Sequence, residues 1–483
     1  MSRKFHPFVW LVLFVFVGCG ASSAAYTRAR RATEGGAVPA PGEVRAEDFL
    51  AYVATEDAPR PPPGTSMRAP VWLDARAGSD VIPSMPTIVP LQVTLRGGVA
   101  AARYPSRLVV LVDVSGSMRE GDKIGAVRHA LARLIERLDP LDRIAIVTFS
   151  NEAHIALAPS EVGAERDVVL SAIGRLMAQG GTNLHDGLTK ALLTADAMRG
   201  DGAVTRVVLL SDGIASVGVT EPHAFDRLAR WAASRSISIT TVGMGREIDF
   251  LLLESLARAA GGEFHFLDRP SEVERLFSRE LVSLVTLAAR DVRVRVHIPP
   301  GWSLGQSFSE RTEVIGGGTV LETRIGDLPS DGAFVVLHEL IAPAGLGEDV
   351  LPVEVTLTAE DRSQTVITEA HVTIARHSGA LPETIDASVL RNLALGRSAV
   401  ALREAGEASR SGQHDMAWST LDDALRSGRD AQATLRAYGD ETRARSLDET
   451  LSMLERAHGA LSPSSPSSIT MPVRSSESFS GWR

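Results

Sequence analysis

Two hydrophobic rhythms divide the chain. Between residues 105 and 285, near-continuous apolar runs alternate with stretches whose apolar positions recur at helical spacing. RLVVLVD (107–113), RIAIVTF (143–149), TRVVLLSDG (205–213) and ISITTVGMG (237–245) are runs of the first kind, with HIALA (154–158) and GEFHFLD (262–268) as shorter examples. DKIGAVRHALARLIERL (122–138), AERDVVLSAIGRLM (164–177), NLHDGLTKALLTADAM (183–198), PHAFDRLARWAAS (222–234), DFLLLESLARAA (249–260) and SEVERLFSRELVSL (271–284) predict helices. A strand without polar positions must be covered on both faces. Such strands alternating with helices predict a doubly wound, mostly parallel α/β sheet, which binds ligands outside the carboxyl ends of its strands.

Past residue 285 the period drops to two. DVRVRVHIPPGW, TVLETRIG, GAFVVLHELIAP, PVEVTLTA and TVITEAHVTIA alternate apolar with polar residues, which predicts an antiparallel β-sandwich over 286–378. TIVPLQVTLRG (87–97) has the same character, so part of the N-terminal region 44–104 is expected to join that sandwich, with the α/β domain inserted. EVRAEDFLAYVA (43–54) reads as a short helix and PRPPPGTSMRAP (59–70) as a loop. Residues 385–461 are rich in Ala, Leu and Arg and read as a helical hairpin region, in which SGQHDMAWSTLDDALRSG (411–428) suggests a TPR-type helix pair. The polar tail 462–483 is expected to be disordered.

Composition narrows the function. The 483 residues carry a net charge of −9, which argues against a general nucleic-acid binder. Arg3 and Lys4 precede an apolar run from Phe8 to Gly18, short for a membrane span and suited to a signal peptide over 1–18. That run meets Cys19, the only cysteine, which cannot form an internal disulfide. FVGC (16–19) resembles the bacterial lipobox, which implies lipidation of Cys19, a membrane anchor, export and a cell-envelope location. Gly20, where some lipoproteins carry an inner-membrane retention aspartate, favours the outer membrane. Residues 19–43 read as a flexible tether whose Arg28, Arg30 and Arg31 form a solvated basic spot.

The chemistry concentrates in DVSGSM, where a strand ends at Asp113 and two hydroxyls, Ser115 and Ser117, follow. A turn with helix caps is one reading. A calcium loop is excluded, because Met118 stands where glycine is needed and Ile124 where a bidentate glutamate is needed. The dehalogenase-type phosphatase pattern fails because Ser115 replaces its second aspartate. The third reading is a hard-cation site completed by other loops. Thr182 in GGTNL and Asp212 in LLSDG stand at element ends on the same predicted rim.

Asp113-x-Ser115-x-Ser117 with a later Thr182 and a later Asp212 resembles the metal-ion-dependent adhesion site (MIDAS) of the von Willebrand factor type A (VWA) domain family. EVRAEDFLAYV, LQVTLRG and SDGIASVGVTEP are similar to the bacterial YfbK-type VWA lipoproteins. The resemblance implies Ser115 and Ser117 as direct ligands of Mg²⁺ or Mn²⁺. It implies Asp113 and Asp212 as charge donors acting through water, Thr182 as a direct or water-bridged ligand, and a protein partner offering an acidic residue. No HExxH, phosphate-binding loop or nucleophile elbow occurs, and GMG (243–245) lacks the third glycine of a dinucleotide fingerprint, so no enzyme is expected. Two alternatives remain: a structural subunit of an envelope assembly with a fold-stabilising metal, or a regulator partnered with an ATPase.

Overall fold

The computed structural model describes residues 24–51, 53–57, 71–98, 104–200, 202–245, 248–267, 273, 287–309, 311–345, 350–360, 365–377 and 385–461. The signal peptide, Cys19, the 59–70 loop, the 462–483 tail and, Val273 apart, the helix expected over 271–284 lie outside them. No described helix is long and apolar enough to cross a membrane.

The N-terminal part comprises α1 (Ala24–Glu34), α2 (Ala46–Ala51), α3 (Ala54–Asp57), β1 (Val71–Ala77), β2 (Val81–Pro83) and β3 (Thr87–Gly97). The α/β domain follows: β4 (Ser106–Asp113), a 3₁₀ turn (Gly116–Asp122), α4 (Lys123–Ile135), β5 (Arg143–Phe149), β6 (Ala153–Glu161), α5 (Arg166–Gly174), α6 (Leu184–Met198), β7 (Val204–Ser211), α7 (Pro222–Ser234), β8 (Ile237–Met244), α8 (Phe250–Ala259) and β9 (Phe264–Leu267). Its sheet runs β6-β5-β4-β7-β8-β9, parallel except for the β5–β6 pair. Leu108, Val110 and Val112 of β4 pack with α4 and α5, while Val109 and Leu111 pack with α6, α7 and α8. Both faces of β4 are therefore covered, which is why Leu108–Val112 contains no polar alternation. The first crossover carries the chain from β4 to β5 and a later one returns it to β7 on the other side. The carboxyl end of β4 is thus the topological switch point where a crevice opens.

The strands β10 (Leu287–His297), β11 (Ser303–Ser307), β12 (Thr312–Ile315), β13 (Val320–Pro329), β14 (Ala333–Ala342), β15 (Val350–Glu360) and β16 (Thr365–His377) complete two more sheets, ordered β1-β3-β14-β11 and β12-β13-β10-β15-β16-β2. Val89, Leu91, Val93 and Leu95 of β3 share one core with Val292, Val294 and Val296 of β10 and with Val353 and Val355 of β15. The two sheets face each other as a sandwich. β3 precedes the α/β domain and pairs with β14, which follows it.

The helices α9 (Ala387–Arg410), α10 (His414–Ala437), α11 (Glu441–Ser446) and α12 (Asp448–Leu461) form the C-terminal layer. Two readings change here. The α9–α10 pair is not TPR-type: each helix has 24 residues, whereas a 34-residue repeat divides into two shorter ones. Gly428 is no helix end but a contact point inside α10, where a Cβ would stand 2.7 Å from Leu451 Cδ2 of α12. Nor are residues 24–34 a tether. Tyr26 and Ala29 of α1 are buried in the core that α9, α10 and α12 share. Arg28 is paired with Glu254 of α8 at 3.0 Å and Arg30 with Glu449 of α12 at 2.9 Å. The small apolar face of α1 gave little periodicity, and its arginines looked solvated only while their carboxylate partners lay far away in sequence.

Candidate functional site

The last residue of β4 places Asp113 at the switch point, fully buried. Its Oδ1 accepts the Ser115 backbone N–H at 2.8 Å and its Oδ2 accepts the Ser211 hydroxyl at 2.7 Å. Burial pushes the Asp113 carboxyl up to about 6 despite these bonds, and the Asp212 charge adds to the rise. The two serines after it do not cap a helix. Ser115 occupies the N-cap position of the 3₁₀ turn without a side-chain cap bond, and its Oγ lies 3.0 Å from Ser117 Oγ. The Ser117 hydroxyl donates to Asp212 Oδ1 at 2.8 Å.

Backbone and side-chain bonds draw three loops together. Gly116 N–H donates to the Gly180 carbonyl at 2.9 Å, joining the first loop to the second. Gly180 has φ +83°, a conformation that favours glycine. Thr182 N–H donates to Ser216 Oγ at 3.3 Å, and the Thr182 carbonyl accepts from Ser216 and Val217, joining the second loop to the third. A Cβ on Gly213 would stand 3.6 Å from Thr182 Oγ1, so the threonine hydroxyl abuts the residue after Asp212. Asp113, Ser115, Ser117, Thr182 and Asp212 are thus all carried on this one rim. Lys123 Nζ lies 2.7 Å from Asp212 Oδ2, and Arg119 Nε of the 3₁₀ turn donates to the Ala178 carbonyl of the second loop at 2.8 Å.

Among the described residues, no three His, Cys, Asp or Glu side chains converge in a manner suited to a metal. The rim instead offers two carboxylates with serine and threonine hydroxyls. These are hard oxygen donors that suit a cation retaining part of its water. The donor set fits Mg²⁺ or Mn²⁺, with Ser115 and Ser117 as the hydroxyl donors and Asp113 and Asp212 as the charge. Sequence reasoning missed Ser211 and Lys123. Ser211 read as strand, and nothing in DKIGAV singled out a lysine that helix α4 aims backwards.

The sequence profile of the von Willebrand factor type A domain matches residues 108–214, a span that holds all five rim residues. This chain carries a VWA domain. Its sequence is similar to YfbK of Escherichia coli K12, 25% identical over 280 residues that make up 57% of this chain and 48% of YfbK. Human inter-alpha-trypsin inhibitor heavy chain H4 is 34% identical over 166 residues, 33% of this chain and 18% of that protein. The chain thus spans about half, or less, of these relatives. The structure of a von Willebrand factor type A protein from Catenulispora acidiphila shares the fold, with a TM-score of 0.59 at 18% identity over 80% of this chain and 97% of that one. The shared fold therefore reaches beyond the VWA domain. VWA domains typically mediate protein–protein interactions and often bind a divalent metal at a MIDAS.

Proposed function

We propose that this VWA protein binds a protein partner through a divalent cation, Mg²⁺ with Mn²⁺ as its substitute, held by Asp113, Ser115, Ser117, Thr182 and Asp212. The partner offers an acidic side chain to the cation. The protein acts as a binder rather than an enzyme, and it is exported and anchored to the cell envelope by a lipid on Cys19.

One observation carries the reading. Ser115 and Ser117 direct their hydroxyls at each other and at Asp212 instead of capping the helical turn that follows. Two buried carboxylates facing one ammonium leave net negative charge at the switch point, which a divalent cation relieves. When bound, the cation supplies a Lewis-acidic position for a partner carboxylate.

The test is chemical crosslinking of the full chain in envelope fractions, with and without chelator, for wild type and Asp113→Ala. The reading predicts a partner lost on chelation and in the variant, with little change in the wild-type melting temperature on chelation. A crosslinked set indifferent to both treatments would sink it. A large drop in the wild-type melting temperature on chelation would favour a structural metal instead.

A further inference from the structure

Lys123 is held in a seat built by the backbone. The chain reaches α4 through two consecutive left-handed residues, Gly121 with φ 61° and Asp122 with φ 58°. Only after this reversal does Lys123 begin the helix, and its side chain runs back to Asp212. At the end of β8, Gly245 has φ +87°, and a Cβ there would stand 3.7 Å from Lys123 Cε and Nζ. The amine is thus confined between the Gly245 backbone and the Asp212 carboxylate, with its side chain 16% exposed.

The occupancy of the carboxylate oxygens gives this seat a consequence. Asp113 Oδ1 and Oδ2 accept from Ser115 N–H and Ser211 Oγ, and Asp212 Oδ1 accepts from Ser117 Oγ. The fourth oxygen, Asp212 Oδ2, is taken by the ammonium. A unit positive charge fixed against a metal-holding carboxylate repels a divalent cation and neutralises part of the charge that attracts it. We propose that Lys123 sets the divalent-cation affinity of this rim, its ammonium acting as a tethered competitor for Asp212. The inference rests on the metal-site reading above and adds a regulator to it. Competition is reciprocal: if the ammonium weakens the metal, the metal must loosen the ammonium by the same factor.

Both directions can be measured on the full chain with Mn²⁺ as probe. Calorimetric titration of Lys123→Gln is expected to give a Kd about tenfold or more tighter than wild type. Lys123→Arg, which keeps the charge, is expected to bind Mn²⁺ more weakly than Lys123→Gln. In wild type, saturating Mn²⁺ is expected to raise acetylation of Lys123 by an amine-reactive reagent, read by peptide mass spectrometry, and Mn²⁺ is expected to do so less in Asp113→Ala. This labelling arm needs no Lys123 variant, so a misfolded Lys123→Gln does not decide the matter. Unchanged or weaker Mn²⁺ binding in folded Lys123→Gln overturns the inference, as does labelling that Mn²⁺ leaves constant or lowers. If wild type binds Mn²⁺ in an Asp113-dependent way while either result holds, only this inference falls. If wild type and Lys123→Gln both fail to bind Mn²⁺, the metal reading falls with it.

Discussion

A serine at the start of a helical turn ordinarily caps it, and Ser115 does not. That departure counts against the cap reading, which residue spacing alone left open beside the metal one. The five rim residues were legible because Asp, Ser and Thr stand at element ends whose order the hydrophobic pattern reveals. Ser211 and Lys123 were not, since their roles depend on strand neighbours and on a backbone reversal. Ser117→Ala removes the bond to Asp212 and the contact with Ser115. It should cost about 1 kcal/mol of stability and weaken Mn²⁺ binding, measured by urea unfolding and calorimetry. Asp48 offers an independent test of the structure away from the rim. It is buried in α2, facing Arg45, Arg28, Glu254 and Glu47, and burial pushes its carboxyl from 3.8 up to about 8. Between those values the folded chain holds a proton that the unfolded chain has released. Stability should therefore fall as pH rises through this window and level off above it, by on the order of a few kcal/mol. Asp48→Asn should flatten that slope in melts taken from pH 5 to pH 9, while an unchanged slope would contradict the burial of this group.

Elements position the rim through a few close contacts. Gly187 of α6 lies against the Phe149 ring of β5, where a Cβ would stand 2.7 Å from Cγ. Because α6 starts two residues after Thr182, Gly187→Val should push the helix outward, cost about 1–3 kcal/mol and weaken Mn²⁺ binding together with stability. The continuous apolar strands and amphipathic helices made the α/β and sandwich layers legible. The N-terminal helix was not, because its buried face mixes a small apolar set, Ala25, Tyr26 and Ala29, with the polar Arg28 and Thr33. Arg28 pairs with Glu254 while its guanidinium lies 5.5 Å from the Phe264 ring centre and 5.8 Å from that of Phe250. Arg28→Ala leaves Glu254 buried with Arg45, at 3.2 Å, as its other ion-pair partner. A loss of about 2–4 kcal/mol is expected, along with faster tryptic cleavage near α1. Cleavage and stability equal to wild type would contradict the buried pairing of Arg28 with Glu254.

At the scale of the molecule, the VWA domain is an insertion whose entry and exit meet. Tyr104, Val204 and Leu287 share one small core, and β3 and β14 close the sandwich across the inserted domain. From the other side, α1 reaches the VWA domain through Glu254 and the C-terminal helices through Glu449. The rim at the carboxyl end of β4 is thus presented by a domain braced at the amino ends of its central strands β4 and β7 and at its helix α8. Everything proposed for the site depends on whether the rim takes up a divalent ion. Mn²⁺ titration of the full chain, followed by electron paramagnetic resonance of the free ion, measures this directly. The account predicts one saturable site that is lost in Asp113→Ala and weakened in Ser117→Ala. Saturable binding of equal affinity in all three proteins, or none in wild type, would contradict it.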